Sequence, residues 1–235
     1  LLIEPKEIKK GEKIGSGGYA TVYKGSWNEK TVALKQMMIS LNKTTEEEFN
    51  REASLIRSLQ HPNIIQLYGV TKPDNENPIM VLEFFENGSL HNLLYETKIT
   101  LTFKEQVNIA FGIVQGISYL HHLNPKIIHR DLKSANVLLT KDRKAVLTDF
   151  GMARVKLETQ QVTHVAGSPN WMSPEMFDED EGKLTEKVDV YSFGMVMYEI
   201  ATGMIPFHDA KNAFHIANSV AQGRRPIIPS LSFIF

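Results

Sequence analysis

The sequence predicts an α+β fold in two parts, a β-sheet lobe holding one helix followed by a mostly α-helical lobe. Three observations predict it. Short β-branched and apolar runs occupy the first third of the chain, a helix-capping pattern interrupts them, and after Glu86-Asn87-Gly88 the apolar spacing changes to the three-to-four period of helices.

The strand-like runs are Thr21-Val22-Tyr23, Thr31-Val32-Ala33-Leu34-Lys35 and Ile79-Met80-Val81-Leu82-Glu83-Phe84, separated by turn residues. Between them, Thr45 and Glu48 form a capping-box pattern that predicts a helix with Phe49, Ala53, Ile56 and Gln60 on one face. It is predicted to end before His61-Pro62-Asn63, because proline pushes its predecessor out of the helical region. A short connection at residues 83–90 follows. Thr102 and Glu105 then open a second capping box, and Ala110, Ile113, Val114, Ile117 and Leu120 recur at helical spacing. Val137-Leu138-Leu139 and Ala145-Val146-Leu147 flank a polar turn and read as a hairpin. Residues 154–167 carry no pattern and read as a loop. A last helix is predicted over 188–202, stopped by Gly203 and Pro206. The longest apolar region, 190–207, contains Glu199 and reads as a buried helix, not a membrane span.

A chain of 235 residues lies between one and two domains at about 150 residues each, and buries roughly 70–75% of its unfolded surface without help from a metal or disulfide. The complete lack of cysteine excludes disulfides, thiolate zinc sites, iron–sulfur clusters and a cysteine nucleophile. With 26 basic against 27 acidic residues the net charge is −1, so neither nucleic acid nor an anionic membrane is expected as a partner. The first residues, Leu1-Leu2-Ile3-Glu4-Pro5-Lys6, lack the basic start and apolar middle of a signal peptide, and a soluble cytoplasmic protein is expected.

Several residues carry chemistry. Gly15-Ser16-Gly17-Gly18-Tyr19-Ala20-Thr21-Val22 lets a backbone approach a polyphosphate closely, although three glycines in four positions also make an ordinary hairpin turn. The glycines lie between strands and do not open a helix, which excludes a dinucleotide-binding oxidoreductase. Lys35 ends an apolar strand, where its ammonium can act as a point charge, and Glu52 on the first helix is placed to pair with it. Each of these has a plain alternative, a snorkelling lysine or a surface ion pair. The decisive segment is His129-Arg130-Asp131-Leu132-Lys133-Ser134-Ala135-Asn136, followed by Asp149-Phe150-Gly151.

With these motifs in this order, and with Ser173-Pro174-Glu175 and Asp189 beyond them, the chain resembles the protein kinases from about residue 8 to residue 229. The resemblance implies a two-lobed fold, with an antiparallel β-sheet N-lobe (8–82), a hinge (83–90) and an α-helical C-lobe (91–235). It implies ATP and Mg²⁺ as cofactors and transfer of the γ-phosphate to a protein substrate; the roles that follow are those of the general phosphoryl-transfer scheme. Asp131 matches the base that orients the substrate hydroxyl, and Lys133 the lysine set against the transferring phosphate. Asn136 and Asp149 match the magnesium ligands, and Lys35 the phosphate-binding lysine held by Glu52. Nucleotide contacts are expected from Ile14, Gly15, Ser16, Gly17, Gly18 and Val22, with Val22, Ala33 and Leu138 sandwiching adenine. Leu82 stands at the gatekeeper position, with the backbone of Glu83 and Phe85 bonding adenine. Leu67, Ile56, Phe150 and His129 match the stack that assembles in active kinases. The third glycine of the pattern is Ala20 here.

Lys133 is the Ser/Thr form of the loop, since tyrosine kinases place alanine or arginine there. Asp189-Val190-Tyr191-Ser192-Phe193-Gly194 and Gly167-Ser168-Pro169-Asn170-Trp171-Met172 resemble the tyrosine-kinase-like group, of which Raf and the mixed-lineage kinases are familiar members. Ser173 stands where alanine is usual. Arg130 implies pairing with a phosphate on the activation loop, at Thr159, Thr163 or Ser168, and hence an activating kinase or a dimer partner. Ser168 replaces the family's threonine and is expected nearer the substrate than the switch. A pseudokinase scaffold and a dual-specificity or tyrosine kinase are the alternatives. The family continues beyond residue 229 into helices that supply a partner for Glu175, so the expectation is a truncated C-lobe in which Glu175 lacks that partner, unless Phe233, Ile234 and Phe235 fold back over the surface left open.

Overall fold

The structure is a computed structural model that describes residues 2–17, 20–38, 43–73, 77–97, 99–155, 168–177 and 184–229, without the side chains of 43–45, 154 and 155. The chain divides into two compact units, Leu1–Glu86 and Asn87–Phe235.

The first unit is a five-stranded antiparallel sheet in the order β1-β2-β3-β5-β4, from β1 (Ile8–Ser16), β2 (Ala20–Trp27), β3 (Lys30–Met37), β4 (Leu67–Thr71) and β5 (Ile79–Glu83). Alternation along the strands divides the sheet into two faces. Val32, Leu34, Ile79 and Val81 point to one face and form an apolar core with Ile3, which precedes β1 and is anchored by its N–H to the Val70 carbonyl at 2.8 Å. Val22, Ala33, Lys35, Met80 and Leu82, paired across β2, β3 and β5, share the other face. Gly25 permits this packing: a Cβ there would stand 2.5 Å from Leu34 Cδ1 and 2.7 Å from the Lys9 carbonyl, inside van der Waals contact.

Helix α1 spans Lys43–Ser58. It begins two residues before Thr45, so Thr45 lies inside the helix and not at its cap. Phe49, Glu52, Ala53 and Ile56 are buried at i, i+3, i+4 and i+7. Gln60 falls beyond the last turn and is exposed, because the helix stops before Leu59 and the register of its buried face is lost.

In the second unit, α2 (Phe103–His122) starts at a reciprocal capping box. Thr102 Oγ1 accepts from the Glu105 N–H at 3.3 Å, and Glu105 Oε2 accepts from the Thr102 N–H at 2.9 Å. Its buried face is Ile109, Ala110, Gly112, Ile113, Gly116, Ile117 and Leu120. Val114 is 42% exposed: α2 turns it out of the stripe that Ile113 and Ile117 occupy, so spacing alone assigned one residue too many to the core. Strands β7 (Val137–Leu139) and β8 (Ala145–Leu147) form the predicted hairpin, and β6 (Ile127–Ile128) pairs antiparallel with β9 (Arg154–Val155), so the first two residues of the patternless stretch are a strand. Helix α3 (Lys187–Thr202) ends at Gly203, whose φ of 66° makes the left-handed cap that glycine favours. Helix α4 (Ala213–Ala221) is capped by Asn212, whose side chain accepts from the His215 N–H. Among the described residues no helix is long and apolar enough to cross a membrane.

Candidate active site

In the first unit one charged pair is largely buried. Lys35 sits on the Val22–Ala33–Leu82 face of the sheet, and its Nζ lies 2.7 Å from Glu52 Oε1 on α1, with the side chains 15% and 5% exposed. Both partners are thus largely removed from water, where a lone charge would be costly and a pair holds its geometry. Leu82 is buried, Glu83 and Phe85 are half-buried, and Ile14 is 45% exposed near the end of β1. Gly15 pairs with Val22 across β1 and β2, and the Gly17 N–H bonds the Ala20 carbonyl at 2.9 Å. Gly18 lies outside the described residues. Burial pushes the Glu83 carboxyl above its ordinary value.

In the second unit the loop after β6 is held from below by Asp189, at the first turn of α3 and fully buried. Asp189 Oδ2 accepts from the His129 N–H and Oδ1 from the Arg130 N–H, both at 2.9 Å, and His121 Nε2 lies 2.7 Å from Oδ2. These bonds hold Arg130 at φ 68°, a left-handed conformation that costs a non-glycine residue about 1–2 kcal/mol. His129 Nε2 faces the Thr148 carbonyl at 3.0 Å and Nδ1 faces the Asp131 N–H at 3.4 Å, which selects the Nε2–H tautomer; its ring lies 5.0 Å from that of the buried Phe150.

Above this base four side chains converge. Lys133 Nζ donates to Asp131 Oδ2 at 2.8 Å and to Ser168 Oγ at 2.7 Å, and Ser168 Oγ donates to Asp131 Oδ1 at 3.1 Å. Asn136 Nδ2 donates to the Asp131 carbonyl at 2.7 Å and to Asp131 Oδ2 at 2.9 Å. The amide nitrogen is therefore fixed, and Oδ1 is the end of Asn136 turned to other ligands. The Thr148 N–H bonds the Asn136 carbonyl at 3.0 Å, tying the next residue, Asp149, to the same turn; Asp149 has φ 63° and leads into the turn Phe150–Met152. An amide oxygen and a carboxylate suit Mg²⁺, a hard cation that keeps waters and phosphate oxygens in its shell, so the residues present fit that ion.

Some placements were beyond the sequence. Glu199 on α3 is fully buried and accepts from Tyr95, Ser134 and Trp171, a junction that spacing in the chain does not announce. The Arg225 guanidinium lies 5.0 Å over the Tyr191 ring, and Glu175 has no ion pair among the described residues. Burial raises the Tyr191 hydroxyl, Arg225 lowers it and Glu175 raises it. Thr159, Thr163 and Phe233 to Phe235 lie outside the described residues. Leu138, in β7, is half-buried.

Comparison with known proteins fits this geometry. The profile of the family described as protein tyrosine and serine/threonine kinase matches residues 8–232. The chain is 36% identical over 229 residues to serine/threonine-protein kinase STY46 of Arabidopsis thaliana, covering 97% of this chain and 39% of that protein. It is 37% identical over 230 residues to serine/threonine-protein kinase TNNI3K of Homo sapiens, covering 96% of this chain and 27% of that protein. The chain thus spans less than half the length of these relatives. An aspartate, a lysine and an asparagine gathered on one buried carboxylate-held loop, a glycine-rich segment between β1 and β2, and a match over nearly the whole sequence all lead to one assignment: the chain belongs to the protein tyrosine and serine/threonine kinase family.

Proposed function

We propose that the chain transfers the γ-phosphate of ATP to serine and threonine hydroxyls of protein substrates in intracellular signalling. The observation that carries this reading is Lys133, whose ammonium lies between Asp131 Oδ2 and Ser168 Oγ. A point charge there can follow the phosphoryl group as its oxygens gain charge, the main task in a loose transition state dominated by positioning and electrostatics. The acceptor hydroxyl approaches Asp131, which orients it and takes its proton. The bond from the γ-phosphorus to the bridging oxygen of ATP breaks as the bond to the acceptor oxygen forms, and ADP leaves. Lys35, held by Glu52, is assigned to the α- and β-phosphates. Asn136 Oδ1 and the Asp149 carboxylate would hold magnesium, which when bound neutralises phosphate charge. Ile14, Gly15, Ser16, Gly17, Gly18, Val22, Ala33, Leu82, Glu83, Phe85 and Leu138 are assigned to the nucleotide.

The finer placement proposed is the tyrosine-kinase-like group, near Raf and the mixed-lineage kinases, supported by Ser168-Pro169-Asn170-Trp171-Met172 and Asp189-Val190-Tyr191-Ser192-Phe193-Gly194. Activation is assigned to phosphorylation of Thr159 or Thr163 by another kinase or a second copy, with Arg130 as the receiving cation. Transfer of labelled phosphate from ATP to a generic basic protein tests the main reading, with Asp131→Asn as control. Label on phosphoserine and phosphothreonine that vanishes in the control is expected. Label on tyrosine alone, or label unaffected by the substitution, overturns it. For the activation step, a Thr159→Ala, Thr163→Ala double variant as active as its parent sinks the assignment.

A further inference from the structure

Glu199 has no part in the chemistry assigned above, yet its buried carboxylate meets three donors, as many as Asp131 or Asp189 does. It is fully buried in the fourth turn of α3 and is reached by donors from three separate parts of the chain. Ser134 Oγ donates to Oε1 at 2.5 Å, Tyr95 OH donates to Oε1 at 3.0 Å, and Trp171 Nε1 donates to Oε2 at 2.6 Å. Ser134 opens the short turn Ser134–Asn136, one residue after Lys133. Trp171 closes the turn Pro169–Trp171, directly after Ser168, and its carbonyl accepts from Ser192 Oγ on α3 at 2.8 Å. The two segments that meet at Asp131, one carrying Lys133 and Asn136 and the other Ser168, are therefore both moored to one side chain.

We propose that Glu199 is the positioning residue for phosphoryl transfer, setting the separation between the Asp131–Asn136 loop and the Ser168 segment by bonding Ser134 with one carboxylate oxygen and Trp171 with the other. It touches no reacting atom and acts through those two residues. Its oxygens fix distance because both bonds are short, one from the fully buried Ser134 and one from the half-buried Trp171, and a bond to a charged acceptor is stronger than a neutral one. The proposal rests on the kinase reading for its consequence and on the hydrogen bonds alone for its mechanism.

The geometry separates what each contact controls. Ser134 leads into Asn136 and so acts on kcat, whereas Trp171 orients the Ser168 segment and so acts on KM for the acceptor peptide. A glutamine at 199 can keep its carbonyl on the indole N–H, which only donates, and turn its amide toward the Ser134 and Tyr95 hydroxyls, which can also accept. Position then survives loss of the charge.

The test is steady-state kinetics with an acceptor peptide and ATP, with melting temperatures, on Glu199→Ala, Glu199→Gln, Ser134→Ala and Trp171→Phe. Ser134→Ala is expected to lower kcat about tenfold with KM for peptide unchanged, and Trp171→Phe to raise KM for peptide about tenfold, each the size of one lost bond to a buried charged acceptor. KM for ATP should stay at the parental value in both. Glu199→Ala should combine the losses, and Glu199→Gln should restore most of kcat. Parental constants in both Ser134→Ala and Trp171→Phe overturn the proposal, as does a Glu199→Gln variant as poor as Glu199→Ala at the parental melting temperature. A second readout is independent of turnover: in NMR spectra, Glu199→Ala should shift the Trp171 indole N–H and the Asn136 side-chain amide signals. Unchanged Asn136 signals overturn the proposal even if the parent transfers no phosphate, whereas an inactive parent with shifted signals overturns only the kinase reading.

Discussion

The two units place functional side chains by different means. In the first, Lys35 is aimed by strand alternation: once Leu34 and Val32 are committed to the core, Lys35 and Ala33 must face the other way. In the second, Asp131, Lys133 and Asn136 lie in irregular backbone, and what aims them are the buried carboxylates of Asp189, 59 residues after the Arg130 that it holds, and Glu199, 65 residues after the Ser134 that it holds. The direction of Lys35 in the first arrangement is a by-product of packing. The second depends on a few acceptors that cannot be replaced by packing, because each satisfies donors that are themselves buried.

The sharpest way to break the comparison is Asp189→Ala. It strands the His129 and Arg130 N–H groups without water, and a loss of about 3 kcal/mol or more in urea unfolding is expected. A loss below 1 kcal/mol, about the net worth of one ordinary hydrogen bond, would show that the loop holds itself. In the first unit the matching lesion is apolar. Leu34→Ala should cost about 2–5 kcal/mol, whereas Lys35→Met should abolish phosphoryl transfer and also lower the melting temperature, because it leaves the buried Glu52 carboxylate unpaired; substantial turnover in the latter would remove Lys35 from the site. Thr102→Ala loses the side-chain half of the capping box of α2, the bond from the Glu105 N–H to Thr102 Oγ1, and should cost about 1 kcal/mol.

The smallest effect concerns charge. Burial lifts the Glu199 carboxyl above the usual carboxylate range, with the Ser134, Trp171 and Tyr95 bonds opposing it. A folded-state value above the unfolded one contributes stability that is present at acid pH and lost as pH rises through the folded value. Glu199→Gln should therefore be at least as stable as the parent near pH 7.5, with the difference closing near about pH 4. A variant markedly less stable at neutral pH would show that the three donors outweigh burial.

Legibility in the sequence followed the same division. The hairpin at 137–147, the cap at Thr102 and the stop at Gly203 were readable because each is decided by a few adjacent residues. Strand β1 was not, because its burial pattern is almost wholly exposed and Lys9, Lys10, Glu12 and Lys13 give no alternation to find. The start of α1 was misplaced at Thr45 because a capping pattern inside a helix looks the same as one at its end. The motifs at Asp131 and Asp149 were legible by resemblance; Glu199, Tyr95 and Trp171 were not, since a glutamate in an apolar helix reads as an interruption until the fold brings three donors to it.

Ser168 has one hydrogen and uses it on Asp131, while its oxygen receives Lys133. Such a hydroxyl works as a neutral spacer between an acid and a base, and esterifying it would remove the donor and set a dianion against the Asp131 carboxylate. A phosphate at this position would act as a brake, and Ser168→Asp should lower turnover where an activating modification would raise it.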